Sequence, residues 1–87
     1  MTKQDYYNLT HDENGNAFLW IIGQEKDNGK GEKPDLTVWG KGYSVDRLYS
    51  FAEYLKGTTC FPSFLLIEVK TGNVCRLIDY MESKGRA

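Results

Sequence analysis

The chain has 87 residues, enough for one domain and too few for two with separate cores. It is 40% hydrophobic and 26% charged, with four Phe, two Trp and six Tyr. This is the composition of a folding chain, since each buried ring removes about 150–250 Å² from water. Eleven Lys and Arg against twelve Asp and Glu leave a formal net charge of −1, which supplies no field to gather a polyanion and disfavours sequence-independent nucleic-acid binding.

Asn14-Gly15 is the favoured pair for a two-residue turn with positive φ at both positions, and it predicts an N-terminal hairpin. Centred there, Glu13 faces Asn16, His11 faces Phe18, Leu9 faces Trp20 and Tyr7 faces Ile22. A one-residue slip would destroy that agreement of faces. The run 17–22 is apolar on both sides, as expected of a central strand. Residues 23–35 hold no large hydrophobe but three glycines and a proline, which predicts a solvated, flexible polar loop.

A further strand is predicted over 36–43. Alternation puts Leu36, Val38 and Gly40 on one face and Thr37, Trp39, Lys41 and Tyr43 on the other. The spacing then predicts a helix over 45–56. Ser44 caps it, Asp46 sits in its first turn, and Val45, Leu48, Ala52 and Leu55 form an apolar stripe that Phe51 widens. Gly57 marks its end.

After a connector containing Pro62, residues 64–70 read as a strand rich in branched side chains. Beyond Thr71-Gly72 two readings compete. The preferred one is a hairpin pairing Val69 with Val74 and Glu68 with Cys75, running to about Ile78. The other is a helix capped by Asn73, with Val74, Leu77, Ile78 and Met81 on one side. Either way the fold class is α+β: a small antiparallel sheet of about four or five strands packed with one main helix, in a single domain.

Motifs for chemistry come close and fail. Asn28-Gly29-Lys30-Gly31 lacks the first-glycine spacing, the Ser or Thr after Lys30 and the following helix that a phosphate loop needs. Gly40-Lys41-Gly42 lies between a strand and a helix, but the third glycine of a dinucleotide fingerprint would fall at Val45. A tight bend using glycine's permissive backbone explains it better, although an anion on the amides opening the helix is conceivable. In 12–16 the glycine of a calcium loop comes at the wrong position. His11 is the only histidine, and Cys60 and Cys75 form no Cys-x-x-Cys, so neither a metal centre nor a nucleophilic dyad is indicated. No enzyme and no cofactor is expected.

Two cysteines are too few for a disulfide framework, the start of the chain has no apolar secretory segment, and the longest apolar runs are far short of a membrane span. These features fit a cytoplasmic protein with reduced thiols that does not engage a membrane.

A binding role is expected instead. Trp39, Lys41 and Tyr43 share a predicted strand face. Either that face packs beneath the helix, or the helix covers Leu36 and Val38 and leaves an aromatic and basic stripe for a partner. Tyr49 and Tyr54 flank the helix stripe and extend such a patch, and Lys30 stands in the neighbouring loop. The leading expectation is a protein–protein interaction module, an inhibitor or accessory factor. In size and strand-rich make-up the chain resembles the small host-takeover and anti-defence proteins of bacteriophages, a likeness of general character without a shared motif. The alternatives are a homo-oligomer, such as a homodimer, that binds a nucleotide between subunits, and a single-stranded nucleic-acid binder stacking bases on sheet aromatics.

Overall fold

The computed structural model describes residues 3–26, 29 and 35–86. In chain order these form α1 (Lys3–Thr10), β1 (Trp20–Lys26), β2 (Asp35–Gly42), α2 (Val45–Leu55), a 3-10 turn at Phe61–Ser63, β3 (Leu65–Glu68), β4 (Asn73–Arg76) and α3 (Leu77–Ser83). The four strands make one antiparallel sheet in the order β2-β1-β3-β4. The α+β class expected from the sequence is the class observed.

One face of the sheet carries the main core. Trp20, Ile22 and Leu66 pack there with Leu48, Ala52 and Leu55 of α2, Leu77 and Met81 of α3, and Phe61 and Phe64 of the connector. On the opposite face Ile21 and Ile67 are paired across the ladder and buried. Tyr6 of α1 reaches the β3–β4 turn, its hydroxyl 3.9 Å from where a Cβ on Gly72 would stand.

Helix α2 forms where the spacing placed it. Ser44 is its N-cap, in extended conformation, with its Oγ accepting from the Arg47 N–H at 3.3 Å. Leu48, Ala52 and Leu55 are the buried positions. Val45, read as part of that stripe, is 41% exposed.

The N-terminal hairpin is corrected. Residues 3–10 are helical, and in place of the expected ladder there is a single bridge, which pairs His11 with Ala17 and not with Phe18. The reason is occupancy: a strand has two edges, and β1 gives one to β2 and the other to β3. The same residues satisfy helical spacing. Gln4 donates to Asn8 at 3.0 Å, the Thr10 hydroxyl donates to the Tyr6 carbonyl at 2.8 Å, and the Tyr7 and His11 rings stack at 4.0 Å. A turn does lie at Asn14-Gly15, with Gly15 at φ +81°, but the Asp12 carboxylate organises it by accepting from the Asn14 and Asn16 N–H groups.

Strand β1 runs further than expected, into the segment read as a polar loop. Gly23 to Lys26 continue β1, pairing with Val38, Thr37, Leu36 and Asp35. Ladder bonds use backbone groups and are indifferent to the polar side chains carried at this end of the strand pair. Positions 27, 28 and 30–34 of the predicted loop, Lys30 among them, lie outside the described residues.

At the C-terminal end each reading holds in part: β4 ends at Arg76, short of Ile78, and a helix follows from Leu77, with Arg76 rather than Asn73 at its N-cap. The register differs from the expected one. Glu68 pairs with Asn73 and Ile67 with Val74, because four residues make the turn, closed by Gly72 at φ +74° with its N–H on the Glu68 carbonyl.

Gly40 and Gly42 are not a bend. Both lie inside β2 and neither has positive φ. A Cβ on Gly42 would stand 2.7 Å from the Trp20 ring, and one on Gly40 would run into the Phe51 ring. The glycines are there so that two aromatic rings can lie directly on the strand. Gly40→Ala is therefore expected to cost about 1–3 kcal/mol by overpacking. Urea unfolding of Gly40→Ala, Phe51→Leu and the double variant should show coupling, with the second change offsetting part of the first.

Candidate functional site

The two ring-on-glycine contacts floor an open groove of about 670 Å³ between β2 and the N-terminal half of α2. Trp20, Gly40 and Gly42 lie at its base, and Trp39, Tyr43 and Tyr54 stand along it. Phe51 is the middle of a row of rings. Its centroid is 6.1 Å from Trp20 on one side and 6.2 Å from Tyr54 on the other, the latter pair within 8° of parallel. The buried Trp20 indole donates to the Ser44 carbonyl at 2.8 Å, tying the floor to the start of α2.

Trp39 is the most unusual of these residues. The ladder shifts register between Ile22 and Gly23: Ile22 pairs with Gly40 and Gly23 with Val38, leaving Trp39 as the extra residue of a β-bulge. A bulge re-aims its side chain and interrupts alternation, so the single face predicted for Thr37, Trp39, Lys41 and Tyr43 does not exist. Neither alternative for that face holds. Phe51 of the helix lies on Gly40 and Trp20 of β1 on Gly42, while Val38 is 37% and Trp39 46% exposed.

Exposed as it is, Trp39 is held in place. Its indole N–H donates to Gln24 Oε1 at 2.9 Å, Gln24 Nε2 donates to Ser63 Oγ at 2.6 Å, and Ser63 Oγ donates to the Cys60 carbonyl at 2.7 Å. The ring also meets Phe64 edge-to-face, with centroids 5.2 Å apart. These contacts settle the ring's orientation.

Tyr43 closes the far end of the groove. Its hydroxyl donates to Asp12 Oδ2 at 2.6 Å, and its ring stacks on Phe18 at 4.9 Å. Lys41 places Nζ 4.7 Å from the Phe18 ring centre. A smaller hollow on the other side of Lys41 and Tyr43 is lined by Asn8, His11, Asp12 and Asn14.

The structure thus gathers Trp39, Lys41, Tyr43 and Tyr54 of the expected binding residues at one groove. Tyr49 it places elsewhere, beside Tyr80 at 6.4 Å and under the Arg86 guanidinium at 3.9 Å. The Tyr80 phenol there is pushed up to about 12, first by burial and then by the Tyr49 hydroxyl. Sequence reading missed Trp20, Ser44, Arg47, Ser50 and Phe51 as lining residues. The available signal was the Gly-x-Gly inside a strand, which can mark a close approach as well as a bend.

Among the described residues no three His, Cys, Asp or Glu side chains gather as metal ligands, and no helix is long and apolar enough to cross a membrane. His11 Nδ1 is engaged by Thr10 Oγ1 at 2.9 Å and the Tyr7 carbonyl at 3.2 Å. Burial pushes the Cys75 thiol up, away from nucleophilic character. No family model, no curated protein and no solved structure matches the chain.

The Asp12–Tyr43 bond has a titratable signature. The Tyr43 hydroxyl, followed by the Asn16 N–H, holds the Asp12 carboxyl below the usual carboxylate range, and Asp12 in turn raises the Tyr43 phenol. The contribution of Asp12 is complete above the ordinary carboxylate pKa and is lost as pH falls through its lowered value. That of Tyr43 is complete below about pH 10 and is lost as pH rises through its raised value. In Asp12→Asn the Tyr43 phenolate should form at lower pH than in the parent, visible in near-UV titration against Tyr43→Phe. An unmoved Tyr43 transition would refute the contact.

Proposed function

We propose that the chain is a protein–protein interaction module that receives a segment of another protein in the β2–α2 groove, acting by binding as an inhibitor or accessory factor. The observation carrying this reading is Trp39, a large ring on a bulge, nearly half exposed, and fixed by a three-bond relay. Interfaces concentrate their energy in anchors of this kind, and a ring already oriented loses little conformational entropy on binding. Tyr54, 71% exposed and stacked on Phe51, supplies a second anchor at the opposite wall. The groove is also open and not enclosed, which suits a segment of another protein better than an engulfed small molecule.

Trp39→Ala separates anchoring from folding. Losing a half-exposed ring and one hydrogen bond should lower stability by about 1–2 kcal/mol, short of the roughly 3–5 kcal/mol for a core Trp. Partner capture should fall at least tenfold, as quantitative mass spectrometry of material retained from bacterial lysate by parent and variant would show. Equal retention of every partner by the two proteins would count against the groove.

A further inference from the structure

We propose that Asn14 is a site of spontaneous covalent modification, deamidating through a cyclic imide to isoaspartate and so loosening Tyr43 at the end of the groove. The inference goes beyond the docking reading and does not depend on what the groove receives.

The chemistry needs a side-chain amide and the backbone nitrogen of the next residue. The Gly15 nitrogen loses its proton, attacks Asn14 Cγ and expels the side-chain nitrogen as ammonia, closing a five-membered imide. Water then adds to one of the two imide carbonyls and is the only co-reactant. Opening on one side gives aspartate. Opening on the other gives isoaspartate, in which the main chain runs through the former side chain and is one carbon longer.

Asn14-Gly15 meets these demands. Both residues are exposed. The Asn14 side-chain amide has no partner among the described residues, because the bond from Asn14 to Asp12 is made by its backbone N–H. Glycine puts no side chain over the attacking nitrogen, and the nearest atom to where a Gly15 Cβ would stand is the Tyr7 hydroxyl at 3.6 Å. One contact opposes the attack: the Gly15 N–H donates to the Asp12 carbonyl at 3.1 Å. Bonds in exposed turns open locally at little cost, so this one slows the reaction without preventing it. Asn8, Asn16 and Asn73 precede Leu9, Ala17 and Val74, whose side chains crowd the corresponding nitrogen.

The position of Asn14 gives the change its reach. Besides the Gly15 bond, the Asn16 N–H donates to Asp12 Oδ1 at 2.8 Å and the Asp12 N–H donates to the Asn16 carbonyl at 2.9 Å. All of these span the Asn14–Gly15 link, and an extra carbon in that link puts them out of register. Asp12 Oδ2 is the acceptor of the Tyr43 hydroxyl at 2.6 Å. The residue that fixes this end of the groove therefore loses its own support.

Ageing the folded protein at body temperature and mildly alkaline pH tests this. Isoaspartate should accumulate at Asn14, located by electron-transfer fragmentation of its peptides, while Asn8, Asn16 and Asn73 remain amides. Asn28, which also precedes a glycine, is read on its own peptide. Asn14→Ala should gain no isoaspartate at that position. In fractions changed only at Asn14, isolated by anion exchange, the Tyr43 phenolate should form at lower pH than in the parent. Asn14→Asp has the added charge without the added carbon and should show no such downward shift.

An Asn14 that keeps its amide in the folded protein, even while it converts in urea, would overturn the proposal and make the turn its protector. Isoaspartate at Asn14 with an unmoved Tyr43 transition would overturn the link to the groove. A downward shift of equal size in Asn14→Asp would overturn the role of the lengthened backbone.

Discussion

Two aromatic rings set directly against the glycines of one strand determine the arrangement of much of this protein. Trp20 covers Gly42 and Phe51 covers Gly40, so a ring from β1 and a ring from α2 each reach the backbone of β2, where a side chain would block them. The Trp20 indole then donates to the carbonyl of Ser44, the residue that caps α2. One buried ring thus connects the central strand, the edge strand and the start of the main helix. In a chain that buries only roughly 60–65% of its unfolded surface, such multiple use of a side chain is a large part of how a small core suffices. The groove is what remains above the rings, because glycines leave nothing standing on that stretch of strand.

The same economy governs the walls. Trp39 would be free to rotate if it projected from a regular strand into solvent. The bulge turns it toward Gln24, and Gln24 is itself anchored through Ser63 to the connector ahead of β3. Its orientation is therefore decided by three separate segments. At the other end, Tyr43 depends on Asp12, whose carboxylate also shapes the turn after α1. Both rims are thus held by polar contacts reaching outside β2 and α2, and a disturbance in the 12–16 turn would be felt at the groove.

How far the sequence foretold this depends on the range of the deciding contacts. Helix α2 was legible because its cap, first-turn acid and apolar spacing are all local. The antiparallel sheet was legible in kind, but the placement of its strands was not. Tyr7, Leu9 and His11 alternate like a strand and are also spaced for helical contacts, and the competition was settled by β2 and β3 taking both edges of β1. The groove was legible in part: Trp39, Lys41, Tyr43 and Tyr54 come together, while Tyr49 is drawn to the opposite side of α2 by Tyr80 and Arg86. Alternation placed Trp39 by an unbroken period of two, and a bulge is a break in that period which shows only once β1 is alongside.

The bulge bears on one more property, the chain's conduct in concentrated solution. β2 is an outer strand with a solvent-facing margin, and such margins invite a neighbouring molecule to add itself to the sheet. A chain attempting this would find the template out of step at Trp39, with a bulky indole and then the Lys41 ammonium where it would need a flat, uncharged run. The bulge thus spoils the edge as a seed for self-templated growth.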